Sequence, residues 1–167
     1  MKKLLLLLAT LLSVGTAQLQ ASLLGAPKTE LSGRVGPGYI DVKIDGGTAL
    51  IYKSPNGEAM TSLLFDKNGI CQLVGLFNAN LNSGSAFDTM EQMITGTDQW
   101  ESVPANLING SLPGFTYRFS VSNGTYMFAT AGIETIDGRP YVSRLYTSKA
   151  GIALAGQLKK LATQLMN

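Results

Sequence analysis

Residues 48–78, TALIYKSPNGEAMTSLLFDKNGICQLVGLFN, decide the fold because two turn sequences in them separate three apolar runs. Ser54-Pro55-Asn56-Gly57 and Asp66-Lys67-Asn68-Gly69 each place Asn third and Gly fourth. Glycine tolerates the positive φ that such turns require. The runs at 49–52, 60–65 and 70–77 are rich in aliphatic and aromatic residues. The stretch therefore predicts a three-strand antiparallel meander.

A fourth strand is predicted immediately before the meander. From Tyr39 to Asp45, the apolar residues Ile40, Val42 and Ile44 alternate with charged residues, and Gly46-Gly47 follows. Strict alternation places apolar side chains on one face of a strand and polar ones on the other. This segment is predicted to be a half-buried strand that ends in a turn.

A helix is predicted after the meander, over residues 85–95. Ser85 is a suitable N-cap, Gly96 a suitable stop, and Phe87, Met90 and Ile94 follow helical spacing. These three apolar residues are expected to face the core rather than a ligand.

Strand patterns resume at Phe115 and continue to Thr147. Asn123-Gly124 and Asp137-Gly138 divide this region, and such dipeptides are strong hairpin signals. A second meander is therefore predicted. The chain then ends in an amphipathic helix over residues 149–166, whose apolar stripe is Ile152, Leu154, Leu158, Leu161 and Leu165.

This order of elements indicates an α+β domain in which two helices, 85–95 and 149–166, pack on antiparallel meanders. The pattern leaves open whether the strands form one curved sheet or two small ones. It also indicates a possible ββββα-βββα pseudo-repeat. Residues 38–167 are predicted to form this single domain. Residues 22–37 contain Gly, Pro, Ser and Lys without a sustained period and are predicted to be a flexible lead-in.

Residues 1–21 have the pattern of a secretory signal peptide. Lys2 and Lys3 precede an apolar run from Leu4 to Leu12, and cleavage is expected after Ala17 or Ala21. No transmembrane anchor is expected after cleavage, and the protein is predicted to be periplasmic or secreted. Without Lys2 and Lys3, 11 basic residues balance 11 acidic ones, so nucleic acid is not expected as a partner.

The residue types present exclude several chemistries. The chain has no histidine and one cysteine, so Ser-His-Asp and Cys-His mechanisms are not available in their usual form. Cys71 is expected to be a buried apolar residue. Asp41 and Asp45 share a strand face but lie roughly 13 Å apart, too far for a glycosidase pair. No catalytic residues, metal site or cofactor are predicted.

Trp100 is the one candidate for partner binding. It is the only tryptophan and is predicted to lie in the connecting segment between the two halves. In that position it either anchors a partner or covers one end of the core. Arg118 and Arg144 are predicted to lie on solvated polar strand faces, where an anionic ligand is the alternative reading.

The function predicted from these features is that of a small exported binding or accessory module, without catalysis, whose partner is an envelope or extracellular protein. Export, a neutral mature chain and the edges of an open sheet favour this interpretation. One alternative is a small-molecule-binding protein, or a histidine-independent enzyme that uses carboxylates. Another is a structural surface component that assembles through its edge strands.

Overall fold

The computed structural model of the chain describes residues 23–35, 38–79, 100–102, 115–121, 125–136 and 138–165. The predicted signal peptide and the predicted helix at 85–95 lie outside the described residues. Both stay predictions.

The described strands form one antiparallel sheet of eight strands, in the order β1-β2-β3-β4-β8-β7-β6-β5. Their bounds are β1 (Ile40–Ile44), β2 (Gly47–Lys53), β3 (Ala59–Asp66), β4 (Cys71–Asn78), β5 (Trp100–Ser102), β6 (Phe115–Val121), β7 (Thr125–Ile136) and β8 (Arg139–Ser148). The α+β class with an antiparallel sheet is therefore confirmed, and the alternative of two small sheets is wrong.

The first meander comprises β1 to β4, as predicted. Gly57 and Gly69 take positive φ values of 69° and 76° in the two predicted turns, where a β-carbon would strain the backbone. Thr48 pairs with Phe65, and Leu63 pairs with Val74. A register shift between Leu64 and Phe65 marks a bulge.

The second meander joins the first where β4 pairs with β8, for example at Gly75 and Leu145. This pairing merges the two meanders into one sheet. It also places β5, which the sequence pattern did not predict, at the end of the sheet opposite β1.

The predicted C-terminal helix is confirmed as α2 (Ile152–Leu165), with α1 (Lys28–Val35) as the other described helix. Leu158 and Leu161 of the predicted stripe are buried against β3 and β4. The main core cluster lies between α2 and the sheet. We call this side of the sheet the α2 face. The backbone N–H of Gly151 donates to Ser148 Oγ at 3.0 Å just before the helix begins.

The segment predicted as a flexible lead-in contains α1 and packs on the sheet. Leu31 of α1 is 1% exposed and contacts a second core cluster around Phe65, Val74 and Tyr146. Lys28 N–H donates to Gly69 O, and Cys71 N–H donates to Ala26 O. The prediction failed because an eight-residue helix with the two apolar residues Leu31 and Val35 has almost no periodic signal. We call this side of the sheet the α1 face.

Candidate functional site

An exposed apolar surface lies along β1, at one edge of the sheet. Among the described strands, β1 and β5 each have a neighbour on one side only. In β1, Ile40 is 51% exposed, whereas Val42 and Ile44 pack partly against the main core cluster. Asp41 and Lys43 are exposed on the other face. We call Tyr39 to Ile44 the β1 edge.

An aromatic pair flanks the β1 edge on the α1 face. The ring centres of Tyr39 and Tyr52 lie 5.7 Å apart and are tilted by 40°. Burial, and then the neighbouring Tyr52, raise the pKa of Tyr39 to about 12. The Tyr39 hydroxyl therefore stays neutral at physiological pH. Tyr52 is 39% exposed, so part of this aromatic surface is open to a partner.

An ion pair connects α1 to the β1 edge. Lys28 Nζ lies 2.8 Å from Asp41 Oδ1 and 2.7 Å from Oδ2. The Asp41 side chain is 59% exposed, so it still has a solvent-accessible side. Exposed pairs of this kind contribute little stability, about 0–1 kcal/mol. The ion pair positions the Asp41 carboxylate and contributes little to the stability of the fold.

Trp100 lies at the opposite edge of the sheet from β1. Its backbone belongs to β5 and pairs with Phe119 of β6, so the prediction of a connecting segment is wrong at this position. A strand of three residues is too short to show an alternating sequence pattern. β5 is recognised as a strand through its pairing with β6. The prediction that Trp100 binds a partner stays untested.

The two arginines singled out by sequence lie at interior strands. Arg118 of β6 pairs in backbone register with Phe128 of β7. Arg144 of β8 is only partly exposed and lies in register between Leu76 and Ala131. The prediction of a solvated strand face is therefore wrong for Arg144, because β8 is central in the sheet.

The buried thiol and hydroxyl groups have structural surroundings. Cys71 is buried, as predicted, and burial raises the pKa of its thiol to about 12. Buried hydroxyls donate to backbone carbonyls within the sheet: Ser62 to Gly75 O, Ser143 to Gly132 O, and Thr147 to Gln72 O. These contacts stabilise the pairing of neighbouring strands.

Two of the described carboxylates are held in structural contacts. Asp66 Oδ1 accepts the backbone N–H groups of Asn68 and Ile70, and Asp66 Oδ2 accepts Gln72 Nε2. Glu134 pairs with Lys159 of α2 at 2.7 Å. Within the described part of the chain, no three acidic or cysteine side chains come together into a possible metal site.

None of the described helices combines the length and the apolar character that crossing a membrane requires. Comparison with known protein families, with characterised proteins and with solved structures finds no match to this chain. The geometry of the described residues is thus the basis for any functional conclusion.

The sequence pattern predicted β1 as a half-buried strand but did not reveal that Tyr39, Ile40 and Tyr52 lie beside a sheet edge. The signal available was the alternation of 39–45. That pattern does not reveal which strand lies at an edge, since strand order depends on pairing between distant segments.

Proposed function

We propose that this protein is an exported, non-catalytic binding module that holds an envelope or extracellular protein through the edges of its open sheet. Residues 1–21 would direct export, with cleavage after Ala17 or Ala21, to the periplasm or the exterior. The observation that carries the proposal is the β1 edge, an edge strand beside which Ile40 and Tyr52 expose apolar surface.

An edge strand has backbone N–H and C=O groups that are not used by its own sheet. An extended segment of a partner can pair with them, and neighbouring side chains then supply specificity. At the β1 edge the neighbouring side chains are apolar at Tyr39, Ile40 and Tyr52 and charged at Asp41 and Lys43. The charges discourage indiscriminate pairing, so the edge is suited to a selected partner.

The second edge, β5, contains Trp100 and offers the same backbone chemistry. We propose it as a second site for the envelope protein. Tryptophan is enriched among residues that dominate binding energy in protein interfaces.

A pull-down from the native host tests this proposal. The full chain with a C-terminal tag is exported in the host, and proteins retained from the envelope fraction are identified by mass spectrometry. Trp100→Ala and Ile40→Asp test the two edges. Ala150→Asp is the matched control, since Ala150 is exposed in the turn between the central strand β8 and α2.

We expect a stoichiometric protein that the Ala150→Asp variant retains and that the Trp100→Ala or Ile40→Asp variant loses. Equal retention by all variants would contradict the use of the edges. Retention of no protein in stoichiometric amount would contradict the proposed function itself.

We also propose that the two halves form the ββββα-βββα pseudo-repeat that the sequence pattern indicates, with β5 as a strand outside the repeat. An offset of 69 residues relates the pair Met60–Phe77 to the pair Ala129–Tyr146, and Gly69 to Gly138. The same offset relates α2 to residues 83–96, which include the predicted helix 85–95. An experimental structure without a helix there would contradict the repeat.

A further inference from the structure

We infer that the β1 edge pairs with the β1 edge of a second copy, which joins two eight-stranded sheets into one. This inference rests on the proposed use of the sheet edges for protein binding and names the partner of one of them. The second edge, β5, stays available for the envelope protein.

The residue order in β1 is self-complementary. Ile40-Asp41-Val42-Lys43-Ile44 reads apolar, acidic, apolar, basic, apolar. Two copies that run antiparallel and centre on Val42 place Asp41 of each opposite Lys43 of the other. Ile40 of each then lies opposite Ile44 of the other, because directly opposed residues share a face of the sheet.

The backbone groups needed for this pairing point outward. β1 and β2 are joined by the two residues Asp45-Gly46, so Ile44 and Gly47 form the hydrogen-bonded pair that closes the hairpin. Hydrogen-bonded and non-hydrogen-bonded pairs alternate along an antiparallel ladder. The N–H and C=O groups of Asp41 and Lys43 are therefore directed away from β2 and toward a second copy.

Charge selects this register over its symmetric neighbours. A two-fold centre at Asp41 would oppose the two Asp41 carboxylates, and a centre at Lys43 would oppose the two Lys43 ammonium groups. Like charges in directly opposed positions are unfavourable. The centre at Val42 is the one of the three that gives two opposite-charge pairs and uses all five residues of each strand.

The surroundings of β1 fit the same arrangement. The exposed side of Asp41 is free to meet Lys43 of the second copy while its ion pair with Lys28 is kept. On the α2 face, the exposed Ile40 would be covered by Ile44 of the other copy. A two-fold axis perpendicular to the sheet keeps both α2 helices on the same face, so the apolar row of Ile40, Val42 and Ile44 continues across the junction.

The contact is short, and interfaces of limited area bind weakly. We expect a dimer dissociation constant on the order of micromolar. Sedimentation velocity of the exported, C-terminally tagged full chain, over about 1 to 200 μM, covers the range in which such a dimer forms.

Charge reversal provides a register-specific test. Asp41→Lys places a second ammonium group opposite Lys43, and Lys43→Asp places a second carboxylate opposite Asp41. Each variant alone should therefore dimerise at least about tenfold more weakly. In an equimolar mixture, each heterodimer has one strand with two basic residues facing one strand with two acidic residues, and we expect wild-type affinity. Lys149→Asp, an exposed charge reversal between β8 and α2, should leave dimerisation unchanged.

Circular dichroism of each variant checks that it is folded, since Asp41→Lys also removes the ion pair with Lys28. Lys43→Asp keeps the ion pair between Lys28 and Asp41, so it changes the charge at the β1 edge without removing that contact. A wild-type chain that stays monomeric to about 200 μM would overturn the inference. Single variants that dimerise like the wild type, or a mixture that stays monomeric, would also overturn it.

The pull-down separates the two proposals. If Lys43→Asp is monomeric and still retains the envelope protein, the dimer and the binding function are both supported and are independent. If the wild type is monomeric and retains the envelope protein, the dimer is refuted and the proposed function stands. If the wild type dimerises and retains nothing else, the envelope partner is refuted and the dimer stands.

Discussion

Replacing Gly75 with alanine tests the contact between α2 and the sheet. Gly75 lies in β4 directly beneath the helix. A β-carbon built at this position would lie 2.5 Å from Leu158 Cδ2, 3.1 Å from Ser62 Oγ and 3.2 Å from Leu145 Cδ2. Leu158 is 1% exposed, so its side chain cannot turn toward solvent to make room. Gly75→Ala is expected to destabilise the fold through overpacking.

The magnitude follows from two opposing effects. Extra carbon atoms in a well-packed core cost about 1–3 kcal/mol. Alanine offsets part of this, about 0.5–1 kcal/mol, because glycine loses more backbone entropy on folding. We expect Gly75→Ala to lower the free energy of unfolding by about 1–2 kcal/mol, and the Tm by roughly 2 to 8 °C.

Gly156→Ala provides a matched control with the opposite sign. Gly156 is exposed in α2, and a β-carbon there would meet nothing within 4 Å. Alanine at this helical position should raise the free energy of unfolding by about 1 kcal/mol. Urea unfolding followed by circular dichroism measures both variants.

A double-mutant cycle with Leu158→Ala tests whether the destabilisation arises from the contact between these two residues. Leu158→Ala alone should cost about 2–5 kcal/mol, because it leaves a cavity. In the double variant the β-carbon at position 75 occupies part of that cavity. The double variant should then lose about 1 kcal/mol less than the sum of the single variants. Strict additivity, or a Gly75→Ala variant as stable as the wild type, would refute the packing of Leu158 over Gly75.

Three further outcomes follow from the structure. Leu31→Ala should lower the free energy of unfolding by about 2–5 kcal/mol in a urea titration, whereas a flexible lead-in would show almost no change. Cys71 should not react with Ellman's reagent at pH 8 in the native protein and should react fully in denaturant, because burial raises its pKa to about 12. Rapid native reaction would show that β4 is open at this point. Burial alone raises the pKa of Asp66, but hydrogen bonds from Ile70, Asn68 and Gln72 outweigh it, so the folded-state pKa lies below the usual value. The Asp66 carboxylate therefore stabilises the fold above its unfolded pKa of about 3.9, and this contribution is lost as the pH falls through the folded-state pKa. Lowering the pH below about 4 should therefore destabilise the Asp66→Asn variant less than it destabilises the wild type. Equal destabilisation of the two proteins by acid would contradict this account.

The strands that sequence located carry their own local signals. In the first meander, apolar runs are bounded by turns whose glycines have positive φ, as Gly57 and Gly69 do. The C-terminal helix was located by a stripe of apolar residues at helical spacing, including Leu158 and Leu161. Such signals arise within a few residues of chain and need no knowledge of distant contacts.

The elements that sequence missed depend on packing. α1 is held by Leu31 and by hydrogen bonds that join its start to the β3–β4 turn and β4. β5 exists as a strand through its pairing with β6. Neither has enough residues for a periodic pattern, and a short helix is marginal without tertiary contacts.

The sequence by itself determined which segments could become strands, the turns between them and the absence of histidine chemistry. The order of strands in the sheet, and so the position of β1 and β5 at its edges, was decided by the tertiary structure. That order depends on β4 pairing with β8, segments about 70 residues apart whose match is a property of the whole sheet. Since the proposed binding surfaces are edges, they became visible only once that pairing was known.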